Sequence, residues 1–295
     1  SLAALLLLVT GVALVLGYIK GRGKSPSAYT TLNKGGAIIT YDYHKTPDTW
    51  KARDHDPKWL QELFGEQYEY TFYQAAEISM TERVFKDHVF EELQNCASVE
   101  KLDLDGSNFS DQHCRYIASL PKLRRLWINR TKITDQGFKI LATSKSLSVI
   151  QCQNTAITDV GLKALATSKS LSVLDCGDTA ITDQGVEWIC QSKSLIGIDV
   201  GRTKVTDRAG QFLAECPTLV MVDGSGQNTG DAFVSSRGKL PQLEKLYLSG
   251  TKISDPSIDS FVQMKSLKIL DVDQTKLTQS GCVRLRNELP KVKIH

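Results

Sequence analysis

Thr131-Lys-Ile-Thr-Asp135-Gln-Gly137 is followed by Thr155-Ala-Ile-Thr-Asp159-Val-Gly161 and then by Thr179-Ala-Ile-Thr-Asp183-Gln-Gly185. Each copy stands 24 residues after the one before. The period runs on through Thr203-Lys-Val-Thr-Asp207 and Thr251-Lys-Ile-Ser-Asp255 to Thr275-Lys-Leu-Thr, and back to Phe109-Ser-Asp111 and Phe85-Lys-Asp87. Nine repeats of 24 residues tile positions 75–290 without insertion or deletion. A fixed period of this length is the signature of stacked supersecondary units.

Counting each repeat from 75, 99, 123 and so on, the fourth position is Ile78, Leu102, Leu126, Ile150, Leu174, Ile198, Val222, Leu246 and Leu270. The sixth is apolar or cysteine in every copy but one, where Gly224 stands. Alternation at positions 4 and 6 is the period of a strand with one buried face. Position 11 adds an apolar plug, such as Ile133, Ile157 and Ile181. Positions 16 and 19 (Phe138 and Leu141, Leu162 and Leu165) lie three apart, as on one helix face. Thr-Asp at positions 12 and 13 is a helix start, because a hydroxyl or carboxylate there satisfies free amides and suits the positive end of the helix. Each repeat is therefore a short strand, a turn and a short helix. One unit cannot bury its own apolar face, so the units stack into an α/β solenoid with a parallel inner sheet and outer helices.

The pattern Leu-x-x-Leu-x-Leu-x-x-Thr-x-Ile-Thr-Asp-x-Gly resembles leucine-rich repeats, closest to their cysteine-containing subclass. Thr131, Thr155, Thr179 and Thr203 stand at position 9, where that superfamily usually has Asn or Cys, and their hydroxyls are placed to bridge turn backbones. The resemblance extends to Ser1-Leu2, the run 5–10, Gly35-Gly36, Tyr41-Asp42-Tyr43, Pro57-Lys58-Trp59-Leu60 and Leu63-Phe64-Gly65, which look like the membrane-anchored leucine-rich-repeat proteins of planctomycete bacteria. It implies a horseshoe fold, a membrane anchor and no assigned activity. A ubiquitin-ligase substrate receptor, frequent in this repeat subclass, would need an F-box-like segment before the repeats. Residues 20–74 do not resemble one.

Leu2 to Ile19 carries no charge, Tyr18 stands at its end where an interfacial aromatic belongs, and Lys20, Arg22 and Lys24 follow it. The segment just reaches the length of a spanning helix. It is expected to anchor the chain, with a cleaved signal peptide as the alternative. The basic residues after it place the solenoid on the cytoplasmic side by the positive-inside rule. Gly23-Lys24-Ser25 is no phosphate-binding loop, because Tyr18 stands where that motif needs glycine. Residues 20–34 read as a linker, 35–74 as an aromatic-rich cap over the first repeat, and 291–295 as a truncated strand built on Val292 and Ile294.

The balance of 36 basic against 33 acidic residues leaves a net charge of +3 without a basic block, which argues against nucleic acid. Seven cysteines with no Cys-x-x-Cys pair exclude zinc-ribbon and thioredoxin-type sites. Cys152 and Cys176 fall at the same inward position of adjacent strands, within reach of a disulfide, yet read as small core residues. The five histidines show no metal spacing, and Asp54-His55-Asp56 reads as a solvated loop. No catalytic residues, metal or cofactor are indicated. The repeat from Leu219 has Gly224 and Thr229 in place of apolar plugs and is expected to be loose.

The candidate site is the inner sheet face. Position 5 reads Asp103, Trp127, Gln151, Asp175, Asp199, Asp223, Tyr247 and Asp271, and position 3 beside it reads Val149, Val173, Gly197 and Met221. Trp127, Gln151, Val173, Asp175, Asp199, Met221, Asp223 and Tyr247 form an acidic row with an apolar strip, and its two aromatics lie about 24 Å apart at the strand spacing of a sheet. This predicts a protein partner with a basic, partly apolar surface. The competing reading is a structural spacer or assembly subunit. The sequence says nothing of oligomeric state.

Overall fold

The computed structural model describes residues 26–41, 75–226, 229–235 and 240–295. The expected membrane segment 2–19, the first part of the linker, and most of the aromatic cap lie outside the described residues. Among the described residues no helix is long and apolar enough to cross a membrane.

The repeats form one sheet with a helix or helical turn returning each strand to the next. Helix α1 (Pro26–Lys34) and strand β1 (Ile38–Tyr41) precede β2 (Ala75–Ser79) and α2 (Asp87–Glu91). There follow β3 (Lys101–Asp103), α3 (Cys114–Ile117), β4 (Arg125–Trp127), α4 (Asp135–Leu141), β5 (Val149–Gln151) and α5 (Asp159–Leu165). The middle holds β6 (Val173–Asp175), α6 (Asp183–Ile189), β7 (Gly197–Asp199), α7 (Ala209–Ala214), β8 (Met221–Asp223) and α8 (Asp231–Ser235). The last are β9 (Lys245–Tyr247), α9 (Ile258–Gln263), β10 (Ile269–Asp271), α10 (Gln279–Glu288) and β11 (Lys293–Ile294). The 11 strands lie in chain order. β2 to β11 are parallel, and β1 runs antiparallel to β2 with a register shift between Thr40 and Tyr41. Each residue pairs with its equivalent 24 positions on, as Leu174 with Ile198 and Ile198 with Val222.

Residues 26–34, read above as the end of a linker, form a helix instead. Ala28, Tyr29 and Leu32 of α1 are buried and join the core, covering the first repeat's helical layer with Val89, Phe90 and Leu93. The linker reading failed because Pro26 is a good first helical residue and only three apolar side chains are needed on a nine-residue face.

The repeat interior is filled as the periodicity requires. In the fourth copy Leu147, Ile150, Cys152, Ile157, Leu162 and Leu165 are all at most 3% exposed. Truncating such a leucine to alanine costs about 2–5 kcal/mol. Cys152 and Cys176 are free thiols, and each donates its S–H to the carbonyl of Asp175 or Asp199 on the next strand, at 3.0 and 3.1 Å.

Beyond the strand, position 8 takes the left-handed conformation in every repeat. Glu82, Arg130, Asn154, Asp178, Arg202 and Gln274 do so with φ of 52–55°, alongside Gly106, Gly226 and Gly250. Non-glycine residues hold this conformation only where surroundings enforce it. The enforcing contact is a backbone bond to the next repeat, such as Arg130 N–H to Gln153 O at 2.9 Å and Arg202 N–H to Ser225 O at 2.9 Å.

In the repeat from Leu219 one of the two lost plugs is refilled. The ring of Phe233, fully buried, takes the space that Gly224 leaves, and a Cβ on Gly224 would sit 3.1 Å from it. Gly210 in the repeat before makes room for the Phe233 backbone, whose carbonyl would lie 2.2 Å from an added Cβ. The other, Thr229, has a buried hydroxyl with no hydrogen-bond partner among the described residues.

Candidate functional site

Strand register brings Asp175, Asp199 and Asp223 side by side, with Gln151 on one flank and Tyr247 on the other. Val173, Gly197 and Met221 align as their neighbours one pleat away. Met221 lies across Gly197, because a Cβ there would meet Met221 Cε at 3.4 Å and Val173 Cγ2 at 3.5 Å. The acidic row and the apolar strip therefore do share one face.

Each carboxylate also serves the fold. Asp199 Oδ1 accepts from Gly201 N–H at 2.7 Å, Asp223 Oδ1 from Ser225 N–H at 2.9 Å, and Asp175 Oδ1 from Gly177 N–H at 3.3 Å. Asp103 and Asp271 make the same bond two residues on. These are Asx turns that lead the chain from strand into the left-handed position. The turn needs an oxygen acceptor and no charge.

Charge is poorly compensated here. Among the described residues no ion pair reaches Asp175, Asp199 or Asp223. Arg202, the nearest candidate, is held by Asp178 through Nε at 2.9 Å and Nη2 at 2.7 Å. Burial, followed by the carboxylates of Asp223 and Asp175, pushes Asp199 up to about 7. Asp175 is raised too, chiefly by burial. The neighbouring Asp175 side chain adds to the rise of Asp199 across the paired strands. Asp175 further accepts from Gln153 Nε2 at 2.8 Å. Gln153 N–H in turn reaches Asn129 Oδ1, and Asn129 bonds Asp105, so a polar chain runs along this edge of the sheet.

The flanking aromatics differ from the expected free anchors. Lys101 Nζ sits 3.4 Å above the Trp127 ring centroid, so one ring face is already covered by a cation. Lys101 and Arg125 approach Glu77 at 3.9 and 3.7 Å, and the N-terminal part of the inner face is mixed in charge. Lys245 pairs in register with Met221 beside Tyr247. The acidic stretch is thus confined to β6, β7 and β8.

A second aspartate row, at position 13, lies at the helix side. Asp135 accepts from Thr158 N–H at 2.8 Å, Thr158 Oγ1–H at 2.7 Å and Gly161 N–H at 3.0 Å, all in the following repeat. Asp111 makes the same three contacts to Thr134 and Gly137, and Asp159 makes the first two to Thr182, with an added Cβ on Gly185 falling 2.4 Å from Asp159 Oδ1. The sequence reading gave these aspartates to their own helices. The missed signal is glycine two residues on, which is needed because the preceding repeat's carboxylate occupies the space of its side chain. The position-9 hydroxyls bond inside their own turn, as Thr131 Oγ1–H to Ile128 O at 2.7 Å and Thr155 Oγ1–H to Cys152 O at 2.7 Å. His113 stands at the glycine position of its repeat. It is buried and stacked on Phe90 at 4.1 Å, accepts from Ser110 N–H through Nδ1, and is held below its ordinary pKa by burial.

No family model matches the chain, and no curated protein matches it. Solved structures do. An internalin (inlF) from Listeria monocytogenes aligns with a TM-score of 0.51 at 14% identity, over 80% of this chain and 93% of that one. An internalin C2 (inlC2) from the same species aligns with a TM-score of 0.51 at 21% identity, over 69% and 80%. The fold is that of a leucine-rich-repeat protein. At such identities the likeness carries the solenoid architecture alone, and the repeat arithmetic, register and inner sheet agree with it.

Proposed function

We propose that this leucine-rich-repeat solenoid is a non-enzymatic interaction scaffold that holds a protein partner on its inner face. The partner contacts Gln151, Val173, Asp175, Asp199, Met221 and Asp223 and is bracketed by Trp127 and Tyr247. Its surface is basic and partly apolar. In this reading residues 2–19 anchor the scaffold in a membrane with the solenoid on the cytoplasmic side, in keeping with the resemblance to planctomycete membrane-anchored proteins and the cysteine-containing repeat subclass. A reporter fused after His295 tests that side; an externally exposed reporter overturns it.

One observation supports the site above the rest. The Asx turns use only one oxygen of each aspartate, and the remaining charge opposes the fold. Asparagine would keep every turn bond and remove the repulsion. A charge that the fold does not need, repeated on three adjacent strands beside an apolar strip, is accounted for by a cationic partner.

The Asp175→Asn, Asp199→Asn, Asp223→Asn triple variant keeps the Oδ1 acceptors and tests this reading. It is expected to fold at least as stably as the parent, to lose capture of the partner, and to flatten the salt dependence of that capture. A photo-crosslinking residue at Val173 should label the same partner, and one at the outer-helix position Lys163 should not. If the triple variant captures every protein that the parent does, the inner row is not the site and a spacer role replaces this reading.

A further inference from the structure

The position-13 carboxylates clasp each repeat to the next in one way, with a single departure. From Asp111 to Asp255, seven aspartates each take the position-12 backbone N–H of the following repeat through Oδ1, at 2.6–2.9 Å. Asp87, the first of the row, does not. The amide equivalent to those is that of Ser110, and its N–H donates to His113 Nδ1 at 3.1 Å. Asp87 Oδ1 stands instead 3.3 Å from His113 Nε2. An imidazole is thus inserted between the carboxylate of the first repeat and the amide of the second. His113 occupies position 15, where no other repeat has a titratable residue.

The contacts fix the proton. A backbone N–H can only donate, so Nδ1 is bare and the ring hydrogen sits on Nε2, facing Asp87. The Gln112 side-chain amide lies 3.1 Å from Nε2 as well. The ring is buried, stacked on Phe90 at 4.1 Å and tilted against Phe109 at 5.6 Å. A second proton has to go to Nδ1. N–H then faces N–H, and the Ser110 amide loses its acceptor. Few charges bear on the ring. From α2, Asp87 favours the second proton, while His88 is exposed and Glu91 accepts from Tyr116 O–H at 3.0 Å. In the ring's own turn Asp111 is committed to Thr134 and Gly137, and from α3 Arg115 disfavours the proton. From α4, Asp135 is held by Thr158 and Gly161, and Lys139 by Gln136 at 3.3 Å. Burial outweighs Asp87 and lowers the affinity of the ring for the second proton.

We propose that the first joint of the solenoid is an acid-opened latch: proton uptake at His113 Nδ1 displaces the Ser110 amide and releases the helical side of the first repeat from the second, while the seven carboxylate clasps beyond stay closed. Aspartates ordinarily take up protons only near about pH 4, well below the histidine range. Helix α1 packs on the turn 92–95 that follows α2 and moves with it. β2 stays paired with β3, so the sheet serves as the hinge. The opening uncovers the aromatic layer of Phe85, Phe90 and Phe109. The closed joint binds the second proton more weakly than the open one. Closure is therefore fully present above about pH 6.5 and is lost as pH falls from there toward the lowered value of the folded ring. The latch is independent of the acidic inner row.

The test is hydrogen exchange of the native full chain between about pH 8 and 5, corrected for the intrinsic rate at each pH. Protection of the Ser110 amide should fall by up to about tenfold per pH unit below about 6.5. The amides of Thr158 and Thr182, held by Asp135 and Asp159, should keep theirs. His113→Gln supplies the neutral residue of an ordinary capping box with Ser110 and should make Ser110 protection independent of pH. Asp87→Asn removes the charge that favours the second proton and should move the loss to lower pH, which keeps the test decisive if the glutamine variant folds poorly. A Ser110 amide equally protected at both ends of the range overturns the proposal. So does a loss shared by Thr158 and Thr182, or a pH profile unchanged in either variant.

Discussion

Replacing Gly161 by alanine should destabilise the parent chain yet stabilise a chain that lacks the Asp135 carboxylate. In the parent, an added Cβ would lie 2.7 Å from Asp135 Oδ1, closer than any real contact of that kind. The carboxylate must retreat, and the 3.0 Å bond from Gly161 N–H is lost. A hydrogen bond to a charged group contributes about 1.5–3 kcal/mol net. Alanine returns about 0.5–1 kcal/mol by helix propensity. The expected net cost is about 1–2 kcal/mol. Asp135→Ala alone removes three bonds from Thr158 and Gly161 and should cost about 3 kcal/mol, since bonds sharing one acceptor group do not add fully. In that background the next atom near the new Cβ is Phe138 Cβ at 3.6 Å, an ordinary contact, so only the propensity gain remains. The coupling between the two sites is therefore on the order of 2–3 kcal/mol. Urea unfolding of the four proteins, followed by far-UV circular dichroism, measures it, with exchange of the Gly161 amide as the local readout. Additivity within about 0.5 kcal/mol would refute the claim that the aspartate row joins neighbouring repeats.

The remaining expectations concern the seventh repeat and the acidic row. Phe233→Ala should cost about 3–5 kcal/mol in urea unfolding, and adding Gly224→Leu should recover part of that loss; no recovery would mean that Phe233 does not fill the Gly224 space. Thr229→Val removes a buried hydroxyl that has no partner among the described residues and should raise stability by about 1 kcal/mol; a loss would show that the hydroxyl is satisfied. Asp199 binds its proton more tightly in the folded chain, so its contribution to stability is greatest at acidic pH and is lost as pH rises from the ordinary carboxylate range through about 7. Asp199→Asn mimics the protonated form. It should stabilise the chain by on the order of 1–2 kcal/mol above that range and have little effect at acidic pH, and a gain independent of pH would count against the raised Asp199 carboxyl.

The solenoid was legible because repeat periodicity samples one environment nine times. A single Leu174 is ambiguous; Leu126, Ile150, Leu174, Ile198 and Val222 at one position are not, and the observed register pairs them. Breaks in the pattern were harder. Gly224 looked like a hole because its compensation, Phe233, sits nine residues on at a position that holds Ala209 and Ser257 in the adjoining repeats and glycine in four others. Pro26 to Lys34 escaped because nothing repeats there. A helix that serves as an end cover is specified once, by three side chains set against the turn that carries Leu93, and its composition matches a linker.

The two aspartate rows show where one sequence pattern yields different physics. Both recur every 24 residues, and both accept backbone N–H bonds. Position 13 uses both carboxylate oxygens at the positive end of the next repeat's helix, where negative charge is itself stabilising. Position 5 uses one oxygen in its turn, on neighbouring strands where Asp223 and Asp175 help to raise Asp199. Its charge has no helix to serve. Gln151 and Tyr247 hold the same strand position without a carboxylate, so the strand itself does not require one. Aspartate over asparagine at Asp175, Asp199 and Asp223 thus lowers stability at neutral pH without a structural return, and a cationic partner is the return that the geometry leaves room for.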